Sequence, residues 1–342
     1  MDSIEYKCPN CNADLKFNPS TQRLDCEYCL SSFTVEQIRH ICAEAESNMP
    51  SEETIQEQND FAEHTNLYHC GSCGAEIMAD DQQTALFCYY CHNPVILSGK
   101  MTGEYKPNSV IGFKIDRNTA LEYFKNWINK RMFVPKDFKS QQQLEKVTGL
   151  YVPFWLANCV TNADYHAIGK QIRHWTSGNY RYTETKEYDV VRRANIIIKG
   201  IPADGESKIE DALMEAIEPY DYNELYPFSM SYLSGFYADK FDVDKSQVFP
   251  RIKTRVDAAA RDVIRNSIKS YSSMSVMNES YFIHRTDWNY ILLPVWFMTY
   301  KYNDKIYEFA INGQTGKIVG ALPTDKGAFW KWVGLATAAI AS

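Results

Sequence analysis

The sequence predicts an α+β protein: two small four-cysteine modules at the N-terminus, then a duplicated mixed strand–helix–β-hairpin domain. Three observations carry this prediction. The spacing CxxC-x14-CxxC occurs twice, 62 residues apart. A Pro-x-Trp strand occurs twice, as Tyr151-Val152-Pro153-Phe154-Trp155 and Leu292-Leu293-Pro294-Val295-Trp296. A helix-period apolar pattern precedes each of those strands.

The first module joins Cys8, Cys11, Cys26 and Cys29; the second joins Cys70, Cys73, Cys88 and Cys91. A CxxC turn presents two thiolates to one ion, and two turns complete a tetrahedral site of four thiolates. The residues between the turns read as hairpins. They are Asp14-Leu15-Lys16-Phe17 with Arg23-Leu24-Asp25, and Glu76-Ile77-Met78 with Thr84-Ala85-Leu86-Phe87. A redox CxxC belongs to a βαβ setting, which these hairpins do not supply. The expected cofactor is therefore zinc, two ions per chain, with iron as the chemical alternative for the same donor set. Each site uses four protein ligands, and a closed site is structural because catalysis needs an open position. His69 and His92 flank the second site and read as second-sphere or surface groups. Cys42 and Cys159 fall outside both motifs and read as ordinary thiols. Phe87, Tyr89 and Tyr90 read either as partner contacts or as cover for a tiny core.

Charge is uneven. Of the net −7, residues 1–100 carry −11 and the remainder +4. Ribbon 1 (Tyr6–Thr34) balances three basic against three acidic residues, and ribbon 2 (Tyr68–Leu97) has no Lys or Arg. Phosphate binding depends on Lys and Arg, so nucleic acid is disfavoured as the main partner. The opening MDSIEYKCPN has neither a basic lead nor an apolar run, so no secretory signal is expected. Eight of ten cysteines in CxxC pairs then fit metal thiolates in a reducing cytoplasm.

The domain boundaries expected are ribbon 1 with a short helix over 1–41, an acidic linker over 42–66, and ribbon 2 over 67–100. The duplicated domain covers 101–327, with repeats at about 108–200 and 246–322, and an apolar tail covers 328–342. In repeat 1, Val110–Ile115 reads as a strand. Thr119-Ala120-Leu121-Glu122 opens a helix with capping-box spacing, and Leu121, Phe124 and Ile128 form its buried face. Alternation over Tyr180–Val190 and the apolar run Asn195–Lys199 predict long strands, turned at Ser177-Gly178-Asn179. In repeat 2, Val248–Lys253 reads as a strand and Val256–Tyr271 as a helix. Thr299–Tyr302 and Ile306–Ile311 read as a hairpin, and Asn312-Gly313 as a turn into Ile318-Val319-Gly320. The tail Val333–Ala341, behind Trp330-Lys331-Trp332, is shorter than the roughly 20 apolar residues a spanning helix needs. Its aromatic and basic lead suits a membrane interface.

No HExxH, GxSxG or GxxxxGK[ST] pattern is present, and no catalytic residue is assigned. Gly313-Gln314-Thr315-Gly316-Lys317 reads as a turn, and His166, His174 and His284 as isolated strand histidines. The basic helix residues Arg251, Arg255, Arg261, Arg265 and Lys269 read as a solvated face.

The tandem ribbons, YVPFW, LLPVW and the segment NGQTGKIVGALPTDKGAFWKW together resemble the bacterial tandem zinc-ribbon proteins of the transcription-factor-IIB-type zinc ribbon group (YdjG-like). The resemblance implies protein partners among membrane-stress proteins and a scaffold role at the cytoplasmic face of the membrane, with contact through the C-terminal tail. The functional expectation is a non-enzymatic zinc-binding adaptor. The alternatives are a nucleic-acid-binding regulator acting through the ribbons, and an unrecognised enzyme with a site between the repeats.

Overall fold

The computed structural model describes residues 6–19, 21–47, 52–80, 87–135, 138, 147–233, 235–303, 305–325, 327, 330–333 and 337. It is a mixed α/β structure with two N-terminal four-cysteine clusters followed by a large sheet domain. The chain forms two compact units. Unit 1 comprises residues 1–49, 155–203 and 244–289; unit 2 comprises 50–154, 204–243 and 290–342.

Unit 1 begins with strands β1 (Leu15–Asn18), β2 (Arg23–Cys26) and β3 (Ser32–Phe33), an antiparallel sheet in the order β1-β2-β3. Helix α1 (Val35–Ser47) follows. Thr34 and Gln37 start it with a reciprocal capping box: Gln37 N–H donates to Thr34 Oγ1 at 3.1 Å, and Thr34 N–H donates to Gln37 Oε1 at 2.8 Å.

Unit 2 begins with α2 (Glu52–His64), which occupies much of the expected acidic linker. It continues through β4 (Thr65–His69), β5 (Glu76–Asp80), β6 (Ile96–Lys100) and β7 (Ser109–Val110) into α3 (Arg117–Asn129). The predicted strand Val110–Ile115 is thus confined to its first residue. Lys114 and Ile115 instead donate backbone bonds to the Gly313 carbonyl. The cap of α3 is Asp116, which accepts from Thr119 N, so the helix starts earlier than the Thr119 capping-box reading. Ala120, Phe124 and Ile128 make its buried face, as the 3.6-residue period requires.

Two 30-residue strands dominate the chain, β8 (Thr148–Ser177) and β12 (Ser273–Tyr302). Gly149–Ala157 is continuously buried, the signature of a strand covered on both faces. From Cys159 to Gly169 every second residue is buried, so one face packs and the other meets solvent. The Gly178-Asn179 turn returns the chain as β9 (Tyr180–Asp204), one strand where the sequence suggested two. Gly178 has φ +62°, which a glycine adopts without steric cost.

In unit 2, α4 (Asp211–Ile217), β10 (Tyr226–Pro227) and β11 (Tyr237–Asp239) follow. Strand pairing there is reciprocal. β7 pairs parallel with β12 (Ile291 with Ser109, Leu292 with Val110), and β11 pairs parallel with β8 (Tyr237 with Leu150, Ala238 with Tyr151). Each strand–helix lead therefore pairs with the long strand of the other half. β13 (Lys305–Asn312) and β14 (Ile318–Gly320) complete the hairpin predicted at the end of the chain. Asn312 Oδ1 accepts from Gln314 N and Thr315 N, which builds the Asn-Gly turn.

Helix α5 (Lys245–Asn266) corrects the reading of Val248–Lys253 as a strand. Asp244 and Gln247 form a capping box that nucleates the helix upstream of Pro250. Val248, Phe249, Ile252, Val256, Ala260 and Ile264 then fall on one buried face. Pro250, the sixth residue of the helix, removes one intrahelical bond, to the Ser246 carbonyl, which the 22-residue helix sustains. In unit 1, α5 packs Ala260 and Ile264 on Ala163, Tyr165 and Ala167 of β8 and on Val190 and Ile196 of β9.

The second core, in unit 2, gathers Ala120, Phe124, Ile128, Phe138, Trp296, Met298, Tyr300, Phe309 and Ile311. The Phe124 ring meets Phe138 and Phe309 edge-on, with centroids 5.7 Å apart in each pair. Truncation of such a ring loses its transfer free energy and leaves a cavity. Phe124→Ala is expected to lower unfolding stability by about 3–5 kcal/mol in chemical denaturation, with the denaturant slope unchanged.

Candidate metal centres

The eight motif cysteines gather into two groups, Cys8/Cys11/Cys26/Cys29 in unit 1 and Cys70/Cys73/Cys88/Cys91 in unit 2. Within each group all four Sγ atoms lie within 4.8 Å of one another. The nearest pairs are 3.5 Å apart for Cys8–Cys29, Cys11–Cys26 and Cys70–Cys91, and 3.6 Å for Cys73–Cys88. A tetrahedral site with metal–sulfur bonds of about 2.3 Å separates its sulfurs by about 3.8 Å, so either group could hold a metal ion.

One backbone device makes all four turns. The amide of the residue directly after each CxxC closes on the first cysteine: Asn12 N to Cys8 O, Leu30 N to Cys26 O, Gly74 N to Cys70 O and His92 N to Cys88 O, at 2.7–2.9 Å. The first cysteine's own amide reaches one residue further, to Ala13, Ser31, Ala75 and Asn93 carbonyls. The residue after each second cysteine is left-handed, with φ +63° at Asn12, +61° at Leu30, +72° at Gly74 and +60° at His92. This conformation aims both thiols of a turn at one point. It suits Gly and Asn, and it strains Leu. All four CxxC turns share this geometry.

Each site is tied to its own unit by the residues inside a turn. In unit 1, fully buried Asn10 donates from Nδ2 to Ser31 Oγ and to the Ile283 carbonyl, both at 2.9 Å. Trp288 Nε1 donates to the Asn10 carbonyl at 2.9 Å. In unit 2 the residues between Cys88 and Cys91 do the same work. The Tyr90 hydroxyl donates to Asp239 Oδ2 at 2.6 Å, and the Tyr89 hydroxyl donates to Asp239 Oδ1. Thr299 Oγ1 lies 3.2 Å from the Tyr90 carbonyl and 2.9 Å from His92 Nε2. Tyr89 and Tyr90 are therefore packing groups, while Phe87 is 61% exposed. The Thr84–Leu86 part of the predicted ribbon 2 hairpin lies outside the described residues, and β5 instead pairs with β4 and β11.

Asp239 belongs to a buried acidic group with Glu206 in unit 2. Burial, with the charges of Asp239 and Asp242, pushes the Glu206 carboxyl up to about 9. Burial likewise raises Asp239, to about 7, against the two tyrosine hydrogen bonds and Lys208. Nothing in the sequence pattern singled out either residue, because their partners lie far away along the chain.

The other singled-out residues stay apart from both centres. His166 contacts Asp189, and His174 Nδ1 lies 2.8 Å from Thr183 Oγ1. His284 Nδ1 is buried without a hydrogen-bond partner. Cys159 is buried, 3.8 Å from Thr286 Oγ1, and burial pushes its thiol up to about 11, which makes it an unreactive core thiol. Arg261 pairs with Glu279, and Arg255 donates to the Pro202 carbonyl, so part of the basic helix face is engaged. A groove of about 740 Å³ in unit 2, walled by Phe113, Tyr151, Phe236 and Trp296, holds one carboxylate among the described residues, Asp116. That carboxylate is committed to capping α3. No helix among the described residues is long and apolar enough to cross a membrane. Most of the apolar tail Val333–Ala341 lies outside the described residues.

A protein from Bacillus subtilis (strain 168), YdjG, described as uncharacterized, is 31% identical over 329 residues, covering 96% of this chain and 93% of its own length. This chain belongs to the YdjG family. No protein-family model and no solved structure matches it. The family relation extends far beyond the two cysteine modules, so the body of both units is shared with YdjG.

Two outcomes follow from this geometry. Leu30 is 81% exposed and left-handed, so Leu30→Gly is expected to stabilise the protein by about 1 kcal/mol, measured by denaturant titration. Glu206 and Asp239 hold protons in the fold that the unfolded chain releases near pH 4, so stability falls as pH rises from about 4.5 to about 9. Glu206→Gln does not titrate in that window. Its stability advantage over the parent should grow between pH 6 and pH 9 in urea unfolding, and an advantage that shrinks would refute the assignment.

Proposed function

We propose that this protein is a non-enzymatic, zinc-binding adaptor, in which two transcription-factor-IIB-type ribbons act as structural staples. The observation that carries this reading is that in each cysteine group the residues inside one turn are anchored in the body of the protein. Asn10 is hydrogen-bonded to Ile283 and Trp288, and Tyr89 and Tyr90 to Asp239. A turn whose intervening residues are committed to packing is a scaffold element, because no part of it remains to meet a substrate. Zinc is the ion that four thiolates in a reducing compartment favour, at two ions per chain. When bound, it fixes four thiolates at one point and so holds two hairpin turns together.

Protein partners are the reading for the remaining surface, and membrane-stress proteins at the cytoplasmic membrane face are the proposed class. Trp330 and Trp332 support a surface role for the C-terminal segment, being 67% and 50% exposed. Both are suited to an interface where one end of the ring is apolar and the other wet. The reciprocal pairing of β7 with β12 and β11 with β8 supports an internal duplication as the origin of the sheet domain.

Metal analysis by mass spectrometry of the purified full chain is expected to give two zinc ions per chain. Chelation should lower the thermal midpoint and remove protection from both units in hydrogen exchange. Cys91→Ser should loosen unit 2, including the Tyr90–Asp239 contact, while Cys11→Ser should loosen unit 1. Bound iron, fewer than two ions, or chelation that leaves both units unchanged would sink the structural-zinc reading. Salt-sensitive binding of DNA or RNA at micromolar protein would favour a regulator instead.

A further inference from the structure

Strand β9 in unit 1 pairs with β8 along one side, and among the described residues no strand pairs with its other side. A long edge with open backbone groups is a template for another strand. We propose that this edge is a homodimer interface, in which β9 pairs antiparallel with β9 of a second copy about a two-fold axis at Val191.

The register of the β8–β9 ribbon decides which residues face outward. Trp175 stacks on Tyr182 with centroids 5.5 Å apart, and His174 meets Thr183. Further along, Lys170 pairs with Glu187 at 2.6 Å, Asp164 with Arg193 at 3.1 Å, and Asn162 with Asn195 at 3.1 Å. One unbroken register joins all five. With a two-residue turn, Ser177 and Tyr180 form the closing bonded pair, so even-numbered residues of β9 bond inward to β8. Odd-numbered residues, Glu187 through Asn195, then present N–H and C=O to the open edge. The Arg192 guanidinium donates to the Val191 carbonyl at 2.8 Å, as expected for a carbonyl pointing out of the ribbon. That carbonyl keeps a second lone pair for a partner strand.

The occupant is argued from charge. Along the same face of β9 the order is Glu187, Asp189, Val191, Arg193, with Lys199 further on. An acidic block precedes a basic block. Antiparallel pairing of this segment with itself about Val191 sets Asp189 of each copy opposite Arg193 of the other. Val191, 43% exposed, meets its own equivalent on the axis. A parallel arrangement would set like charges side by side. The side chains of Asp189 and Arg193 are 67% and 77% exposed, so both remain accessible to a partner strand despite their contacts with His166 and Asp164. Self-complementarity of this kind is what a two-fold interface requires, since the same patch serves both subunits.

The test is the mass of the full-length protein by light scattering over a range of concentration, with three variants. The parent should reach dimer mass. Asp189→Arg and Arg193→Asp should each weaken the dimer by roughly tenfold, because two symmetry-related attractions become repulsions. The double variant Asp189→Arg/Arg193→Asp should restore it. Amide exchange at Asp189, Val191 and Arg193 should slow with rising protein concentration, a readout independent of the variants. A monomer at every concentration, or a dimer indifferent to both single exchanges, would overturn the proposal. Circular dichroism of each variant separates loss of association from loss of fold.

Discussion

Two tyrosine hydroxyls on one buried carboxylate link the second cysteine site to the structure of unit 2. Tyr89 and Tyr90 sit between Cys88 and Cys91, and both donate to Asp239, which has no exposed surface. A buried carboxylate without partners is costly, so this contact must be made for β11 to hold its place between β5 and β8. The same two rings pack on Tyr237 and Phe297. The turn that presents two thiols thus also closes a polar hole in the sheet. An ion held by Cys70, Cys73, Cys88 and Cys91 would for this reason be coupled to the folding of unit 2.

Unit 1 reaches the same end with different residues. Asn10 takes the part of the tyrosines, with a main-chain carbonyl and an indole as its partners. Both anchored turns share the left-handed residue that follows the second cysteine with the other turn of each group, where Glu27, Tyr28 and Ser72 are exposed, so the anchoring comes from the side chains and not from that conformation. The two sites share a backbone recipe and differ in what they are fastened to. Similar spacing in the sequence therefore does not imply similar coupling to the fold.

The cysteine groups were legible because their signal is local and discrete: four turns, each encoded in four residues. The buried faces of α3 and the Asn312-Gly313 hairpin were legible for the same reason, since period and turn chemistry act over a few residues. Errors arose where the local signal was shared between structures. Val248–Lys253 carries β-branched and aromatic residues around a proline, yet the Asp244–Gln247 capping box just upstream commits it to helix. Val110–Ile115 has strand composition, but past Ile111, whose amide still reaches Leu292 of β12, Lys114 and Ile115 bond to the Gly313 turn. For Tyr89 and Tyr90 the sequence leaves contact and cover equally open, and only the position of Asp239, 149 residues away from Tyr90, separates these.

The sequence by itself determined the two four-cysteine groups, the mixed α/β class and the order of most elements, because each of these rests on interactions between residues near one another in the chain. Only the tertiary structure decided which long strand each short strand pairs with, that β7 joins β12 and β11 joins β8, and that among the described strands β9 keeps an open edge. It alone placed Asp239 and Glu206 in the same buried region. These are outcomes of long-range packing, where loop closure and the burial of whole faces select one pairing among several of equal local merit.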